Sequence, residues 1–330
     1  MKSLLLCQTL LALATLALPL ACGGAQRTNL LVPSDRPRAW VSTLSVNHPL
    51  VGHVYRSSPP GEVTHQTLLD TLASKRYVLI GEKHDNPDHH RFQATLLRSI
   101  VSRGRKTALV VEMLDVGQQS EVDAVRAAHP HDVDALPVAV QWDKSGWPDW
   151  SMYKPIFEVA VFAGLPIVAG NYDHAKVKPL FLPKGLSLDA STKARLGVDR
   201  PFTKEQQASL EEELRQSHCG MLSERMLPPM VLVQRLRDGQ MAERMRAADR
   251  GDGAVLIAGD GHVRTDRGVP HVLRQAGVDA AQIVSIGIFE VNDKETDAQT
   301  YGGPQGASVD FMLFTPRYDD KDPCEGFRRR

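Results

Sequence analysis

The sequence predicts an α/β fold, a parallel sheet flanked by helices and carrying a smaller helical insertion domain. Short apolar runs of strand character recur along the chain. Stretches with helical spacing separate them, and between residues 176 and 250 the alternation gives way to helix-like sequence alone. Strands that alternate with helices run parallel and are covered on both faces, so each strand reads as a continuous apolar run.

Residues 77–81 (YVLIG) form the first such run. Residues 86–102 follow as a helix, with Phe92, Leu96, Leu97 and Ile100 at helical spacing. Residues 107–111 (TALVV) are the next strand, 116–128 a helix, and 151–163 another with Tyr153, Ile156, Phe157 and Ala160 on one side. Residues 165–169 (LPIVA) are a third strand. Within the insertion, residues 203–218 open on a capping-box pattern, Thr203 with Gln206, and Pro228-Pro229 start a helix that reaches Ala248. Strands resume at 254–258 (AVLIA) and 283–288 (IVSIGI), with a helix near 269–276 between them and an edge strand expected at 308–314. The α/β domain therefore comprises residues 48–175 and 251–318, the insertion 176–250, and the tail 319–330.

Residues 1–21 read as a signal peptide: Lys2 precedes an apolar stretch over 4–20 that ends Pro19-Leu20-Ala21-Cys22. A small residue before a cysteine there resembles a bacterial lipoprotein cleavage site, although Pro19 stands where leucine is usual. The expected product carries lipid on Cys22, a tether over 22–47, and a body outside the cytoplasm, membrane-anchored or periplasmic. The remaining cysteines, Cys219 and Cys324, could pair in an oxidising compartment or both stay free.

Lys and Arg together number 39, as do Asp and Glu, and loss of residues 1–21 removes Lys2 and no acid. That balance excludes the basic footprint of a nucleic-acid-binding protein.

Ligands of open α/β sheets sit beyond the carboxyl ends of the strands. The strands deliver Glu82-Lys83-His84, Glu112, Asn171-Tyr172, Gly259-Asp260-Gly261-His262 and Glu290 to that edge. Carboxylates gathered at one edge repel each other unless a cation, a proton-transfer role or a basic partner such as Arg264 explains them. Two exits share the pattern Gly-x-x-His, Gly81 to His84 and Gly259 to His262, in which glycine permits a sharp turn off the strand. His89 and His90 do not share a helical face with His84; one is expected to face solvent and the other to orient the turn. Trp142, Trp147 and Trp150 either line an apolar pocket or cap the core, the second being the safer reading.

The runs LIGEKHDNPDHHRFQ and VVEM, the Trp150–Tyr153 segment, the MAERM helix and IAGDGHVRTDRGVP resemble the ChaN family of haem-binding lipoproteins over about residues 50–290. That family is similar in turn to the TraB, erythromycin esterase and TIKI protease groups, which share paired glutamates and Gly-x-x-His motifs. Gly81, Glu82, His84, Glu112, Gly259 and His262 match the motif positions, and His218-Cys219-Gly220 looks like a segment of proteobacterial members. The resemblance implies haem held at a homodimer interface through a tyrosine. Tyr153 is the candidate by motif and Tyr172 by its place at a strand exit, with His218, Gly81, Gly259 and Asn171 as further contacts.

Two functions follow. The first is a haem-binding, iron-handling lipoprotein of the cell envelope, with haem or an iron-uptake system as partner. The second is a metal-dependent peptidase or esterase in which Glu82, His84, Glu112 and His262 hold Zn or Mn or activate water.

Overall fold

The computed structural model describes residues 39–181, 188–302, 308–322 and 324–325. The expected signal peptide, Cys22 and most of the tether lie outside these residues. The strands are β1 (Val54–Arg56), β2 (Gly61–Val63), β3 (Tyr77–Glu82), β4 (Ala108–Asp115), β5 (Ile167–Asn171), β6 (Ala254–Gly259), β7 (Ile283–Glu290) and β8 (Phe311–Thr315). The helices are α1 (His65–Ser74), α2 (Pro87–Ser102), α3 (Gln119–Ala128), α4 (Ala135–Ala139), α5 (Trp150–Phe162), α6 (His174–Val177), α7 (Ala190–Leu196), α8 (Lys204–Ser217), α9 (Leu227–Ala248) and α10 (Val269–Gln275).

All eight strands form one sheet in the order β2-β1-β8-β7-β3-β6-β4-β5. The six strands from β8 to β5 are parallel, and the β1–β2 hairpin extends the sheet antiparallel beside β8. The predicted edge strand is therefore interior, because β1 pairs along β8. Sequence reading missed the hairpin, whose three-residue strands are too short to show a period.

Alternate residues of each central strand serve opposite faces, as the two-residue repeat of a strand requires. Val78, Ile80, Leu109, Val111, Val255 and Ile257 join α1, α2 and α5 in one core. Tyr77, Leu79, Val110, Leu256 and Ala258 meet Met241, Ala242 and Met245 of α9 and Leu273 of α10 in the other. The start of α9 carries two smaller clusters, one with α7 through Leu196, Val233 and Leu236, the other with α8 through Leu210, Leu214, Leu227 and Val231. Thus α9, the last helix of the expected insertion, also packs on β4, β5 and β6. Gly239 in its middle admits the end of α7; a Cβ there would stand 2.2 Å from the Leu196 carbonyl oxygen.

Thr203 and Gln206 form the expected capping box at α8. Beyond that helix Cys219 and Cys324 are bonded to each other, 105 residues apart with Cα atoms 5.6 Å apart. The bond ties the tail to the corner between α8 and α9. Closing so long a loop restricts the unfolded chain, so Cys324→Ser should lower unfolding free energy by about 2–4 kcal/mol. Urea unfolding with and without reductant checks this; coincident curves would contradict it.

Candidate functional site

The parallel register builds the site. Glu82 and Gly259 end β3 and β6 opposite each other, and Glu112 of β4 follows the last β4–β6 pair, Val111 with Ile257, so the three lie at nearly one level. Both glutamates are buried. Buried carboxylates are stable only when paired or hydrogen-bonded, and each here has its own histidine. His84 Nδ1 lies 2.6 Å from Glu82 Oε1. His262 Nε2 lies 3.3 Å from Glu112 Oε1, and Glu112 Oε2 accepts the Gly259 amide at 2.8 Å. On its other side His262 Nδ1 meets Asp238 Oδ1 of α9 at 2.6 Å.

Burial opposes charge on His84, but the Glu82 carboxylate outweighs it and the pKa rises to about 9. The same contest, with Glu112 and Asp238 as the opposing charges, takes His262 to about 10. Glu112 resists the upward pull of burial and falls well below the usual carboxylate range, chiefly through His262. Asp238 rises, because burial exceeds what His262 returns. The His262 ring therefore lies between the Glu112 and Asp238 carboxyl groups, which favour its charged form.

Gly81 and Gly259 act by close approach and not by a left-handed turn; neither has positive φ. A Cβ at Gly81 would stand 2.4 Å from Val263 Cγ2 and 2.9 Å from Asp260 Cα, so the Asp260–Val263 turn could not seat. A Cβ at Gly259 would stand 3.0 Å from His84 Cε1 and 3.2 Å from Nε2. His84 thus lies over Gly259, its side chain 41% exposed, with the edge of Trp147 against its ring at a centroid distance of 4.8 Å. Glu82, Lys83, His84, Gly259, Asp260, Ile288, Phe289 and Glu290 line an open cavity of about 280 Å³. It adjoins a cleft of about 680 Å³ against α8, with Asp260 and Phe289 common to both.

His89 and His90 are both fully buried, which corrects the expectation that one faces solvent. That expectation treated residues 84–90 as one helix, whereas α2 starts only at Pro87, capped by the Asn86 side chain. The first turn of α2 consequently lies beneath the Lys83–His84 loop. His89 Nδ1 accepts the Lys83 amide at 2.9 Å and Nε2 lies 2.8 Å from Thr315 Oγ1, a neutral ring whose pKa burial holds well below the ordinary value.

The structure brings Gly81, Glu82, His84, Glu112, Gly259 and His262 together, sets Tyr153 beneath His84 and leaves Tyr172, Asn171 and His218 apart. Tyr153 is fully buried; its hydroxyl donates to the His84 carbonyl at 3.3 Å and burial raises its pKa. Tyr172 lines a different cavity of about 460 Å³ with Lys176, Arg195 and Arg244. Asn171 ends β5, beyond β4, and its Oδ1 is buried without a partner. His218 caps the end of α8, Nδ1 2.8 Å from the Leu214 carbonyl, beside the disulfide. Cys219, bonded to Cys324, is no free thiol. Trp142 is core, packed against Trp150, Tyr153 and Phe157.

Sequence reading missed Asp238, and it took Trp147 for core, whereas Trp147 lies against the His84 ring. An Asp-Gly pair inside a long helix is locally unfavourable, and that was the available signal for Asp238. No group of three or more His, Cys, Asp or Glu side chains among the described residues is placed to share a metal ion. The four residues expected to form a Zn or Mn site are instead committed to each other in carboxylate–histidine pairs.

Residues 68–273 match the family described as "Haem-binding uptake, Tiki superfamily, ChaN". A solved structure described as cofacial haem binding to ChaN of Campylobacter jejuni superposes with a TM-score of 0.61 at 19% identity, covering 79% of this chain and 95% of that one. A type III effector (TM-score 0.41, 12% identity, 76% of this chain and 92% of that one) and an erythromycin esterase mutant in its open conformation (0.39, 14%, 88% and 86%) are more distant likenesses. No curated protein matches the chain.

The buried cluster imposes a pH dependence on stability. His262, raised from 6.5 to about 10, contributes fully below pH 6.5 and loses that contribution as pH rises through about 10. Glu112, lowered from 4.5, contributes above that pH and loses it as pH falls. The pair is therefore at full strength between about pH 4.5 and 6.5. His262→Ala leaves two buried carboxylates unpaired and should cost about 3–5 kcal/mol near pH 6. Denaturant unfolding of both proteins across pH 5–10 measures it; equal stability, or a gap that does not narrow toward pH 10, would contradict the assignment.

Proposed function

We infer that this chain, which belongs to the ChaN family of haem-binding uptake proteins, binds haem at the strand-end mouth formed by Lys83, His84, Ile288 and Phe289. The family match carries this reading: it spans Glu82, Lys83, His84, Gly259 and Asp260 of the mouth, whereas Phe289 and Glu290 lie beyond it. The side chains present fit the group. His84 is the exposed imidazole at the mouth, one nitrogen braced by the buried Glu82 carboxylate, the arrangement that orients histidine ligands in metal sites. Phe289 offers an apolar wall, Lys83 a cation between Asp85 and Glu290, and Asp260 and Glu290 carboxylates on the rim. Haem bound there would supply an iron centre that a protein side chain can ligate. His84 is the exposed imidazole nearest it, and would have to give up the proton that the Glu82 carboxylate stabilises before it could bind iron. If a tyrosine takes that role, Tyr318 suits it better than buried Tyr153: it is 36% exposed and its amide donates to Glu290 on the rim.

The shallow mouth would leave much of a macrocycle uncovered, which favours a second copy of the chain as cover. The leader and Cys22 support an exported, lipid-anchored protein of the cell envelope serving iron uptake. Cys22→Ala should then move the protein from the membrane fraction to the soluble one. Haemin titration of the native protein should give a saturable Soret shift. His84→Gln should weaken it about 10–100-fold, with Tyr153→Phe, Tyr172→Phe and Tyr318→Phe run beside it. No saturable change in the native protein would remove the haem reading, and an unaffected His84→Gln protein would remove His84 as the ligand.

A further inference from the structure

A second cavity, of about 460 Å³, lies at the carboxyl end of the edge strand β5, walled by the segment after that strand, by α7 and by the carboxyl half of α9. Ligands of open α/β sheets sit at such strand ends, and the volume is that of a small-molecule site. Two nearly buried polar side chains reach it: Tyr172 is 6% exposed and Gln240 5%. The Tyr172 ring packs with Leu188, Leu196, Val233 and Leu236, but its hydroxyl has no hydrogen-bond partner among the described residues. A tyrosine buried to this depth ordinarily finds one. Burial raises the Tyr172 pKa against the pull of Arg195, so the hydroxyl keeps its proton and is a donor. Gln240 spends its amide nitrogen on Glu243, and its carbonyl oxygen has no partner among the described residues.

Three acids and three cations line the cavity, and they are unevenly spent. Asp189 caps α7 with both oxygens, accepting the Thr192 amide at 2.8 Å and its hydroxyl at 2.7 Å. Asp173 accepts the Ala175 amide at 3.0 Å. Glu243 holds Gln240 at 2.7 Å and Arg195 at 3.3 Å. The cations keep capacity. Lys176 has a side chain 62% exposed, with Asp173 no nearer than 3.8 Å. Arg195 has the Glu243 contact alone among the described residues. Arg244 gives Nε to the Ala169 carbonyl and Nη2 to Gln119, which leaves Nη1. Unspent donors around one unspent acceptor fit an acid that carries a donor of its own. We propose that this cavity binds a small hydroxy- or amino-carboxylate. Its carboxylate would lie on Tyr172, Lys176 and the two arginines, its hydroxyl or amino group on the Gln240 oxygen, and its carbon chain against Val116 and Leu188. The cavity stands apart from the mouth, so nothing here depends on where haem binds.

Isothermal titration calorimetry of the full chain with L-malate and L-aspartate, with L-malamide and inorganic phosphate as controls, tests this. At least one of the two acids should bind saturably, and L-malamide, which lacks the charge, should not. Tyr172→Phe and Lys176→Gln should each weaken that acid about tenfold, the worth of one hydrogen bond to a charged group. Because the hydroxyl has no partner to lose, Tyr172→Phe should leave the urea midpoint unchanged. No saturable binding of either acid, equal binding of L-malamide, or binding of phosphate alone would overturn the proposal. So would native affinity in Tyr172→Phe, or a clear fall in its urea midpoint, which would make the hydroxyl a structural group. Haemin titrated in parallel separates the tyrosine's other use. A Soret shift that is lost in Tyr172→Phe, with no response to the acids, would assign the cavity to haem and overturn the carboxylate reading.

Discussion

Two glutamates lie at one level of a parallel sheet, on β3 and β4 with β6 between them, and the site exists because something must neutralise them. Glu82 and Glu112 are buried, where an unpaired carboxylate would take up a proton or unfold its surroundings. His84 answers the first and His262 the second. His262 in turn draws Asp238 inward from α9, so the helix that covers one sheet face is pinned to the strand ends by charge as well as by Met241 and Met245. The glycines serve the same constraint: Gly259 leaves room for the His84 ring, and Gly81 for the turn that carries His262.

Much of this was legible in the sequence. Apolar runs marked the six parallel strands, since strands covered on both faces carry no alternation to obscure them. The capping box at Thr203 and the paired Gly-x-x-His exits were readable as local patterns. What escaped was long-range or conformational. Asp238 lies 24 residues from His262, and only the packing of α9 brings them together. The burial of His89 and His90 depended on the Lys83–His84 loop folding over the first turn of α2, which no local pattern reports. The Cys219–Cys324 pairing needed Cα positions that spacing cannot supply. The α1 helix and the β1–β2 hairpin went unread because their short stretches carry a weak pattern.

The same geometry separates the two functional readings. Each histidine of the expected metal set is engaged by a carboxylate, and His262 is engaged on both sides. His84 differs in being half exposed, braced on one side and open to a shallow cavity lined by Lys83, Phe289, Asp260 and Glu290. This mouth presents one histidine at an open, shallow surface. Membership of a haem-binding family agrees with that shape.

A crystal structure of the haemin-loaded protein tests the central claim most directly. The account predicts haem against Ile288 and Phe289 at the strand ends, its iron at bonding distance from His84 and the Glu82–His84 pair intact. Haem lodged elsewhere, as in the Tyr172 cavity with His84 still turned to Glu82 and unligated, would contradict it.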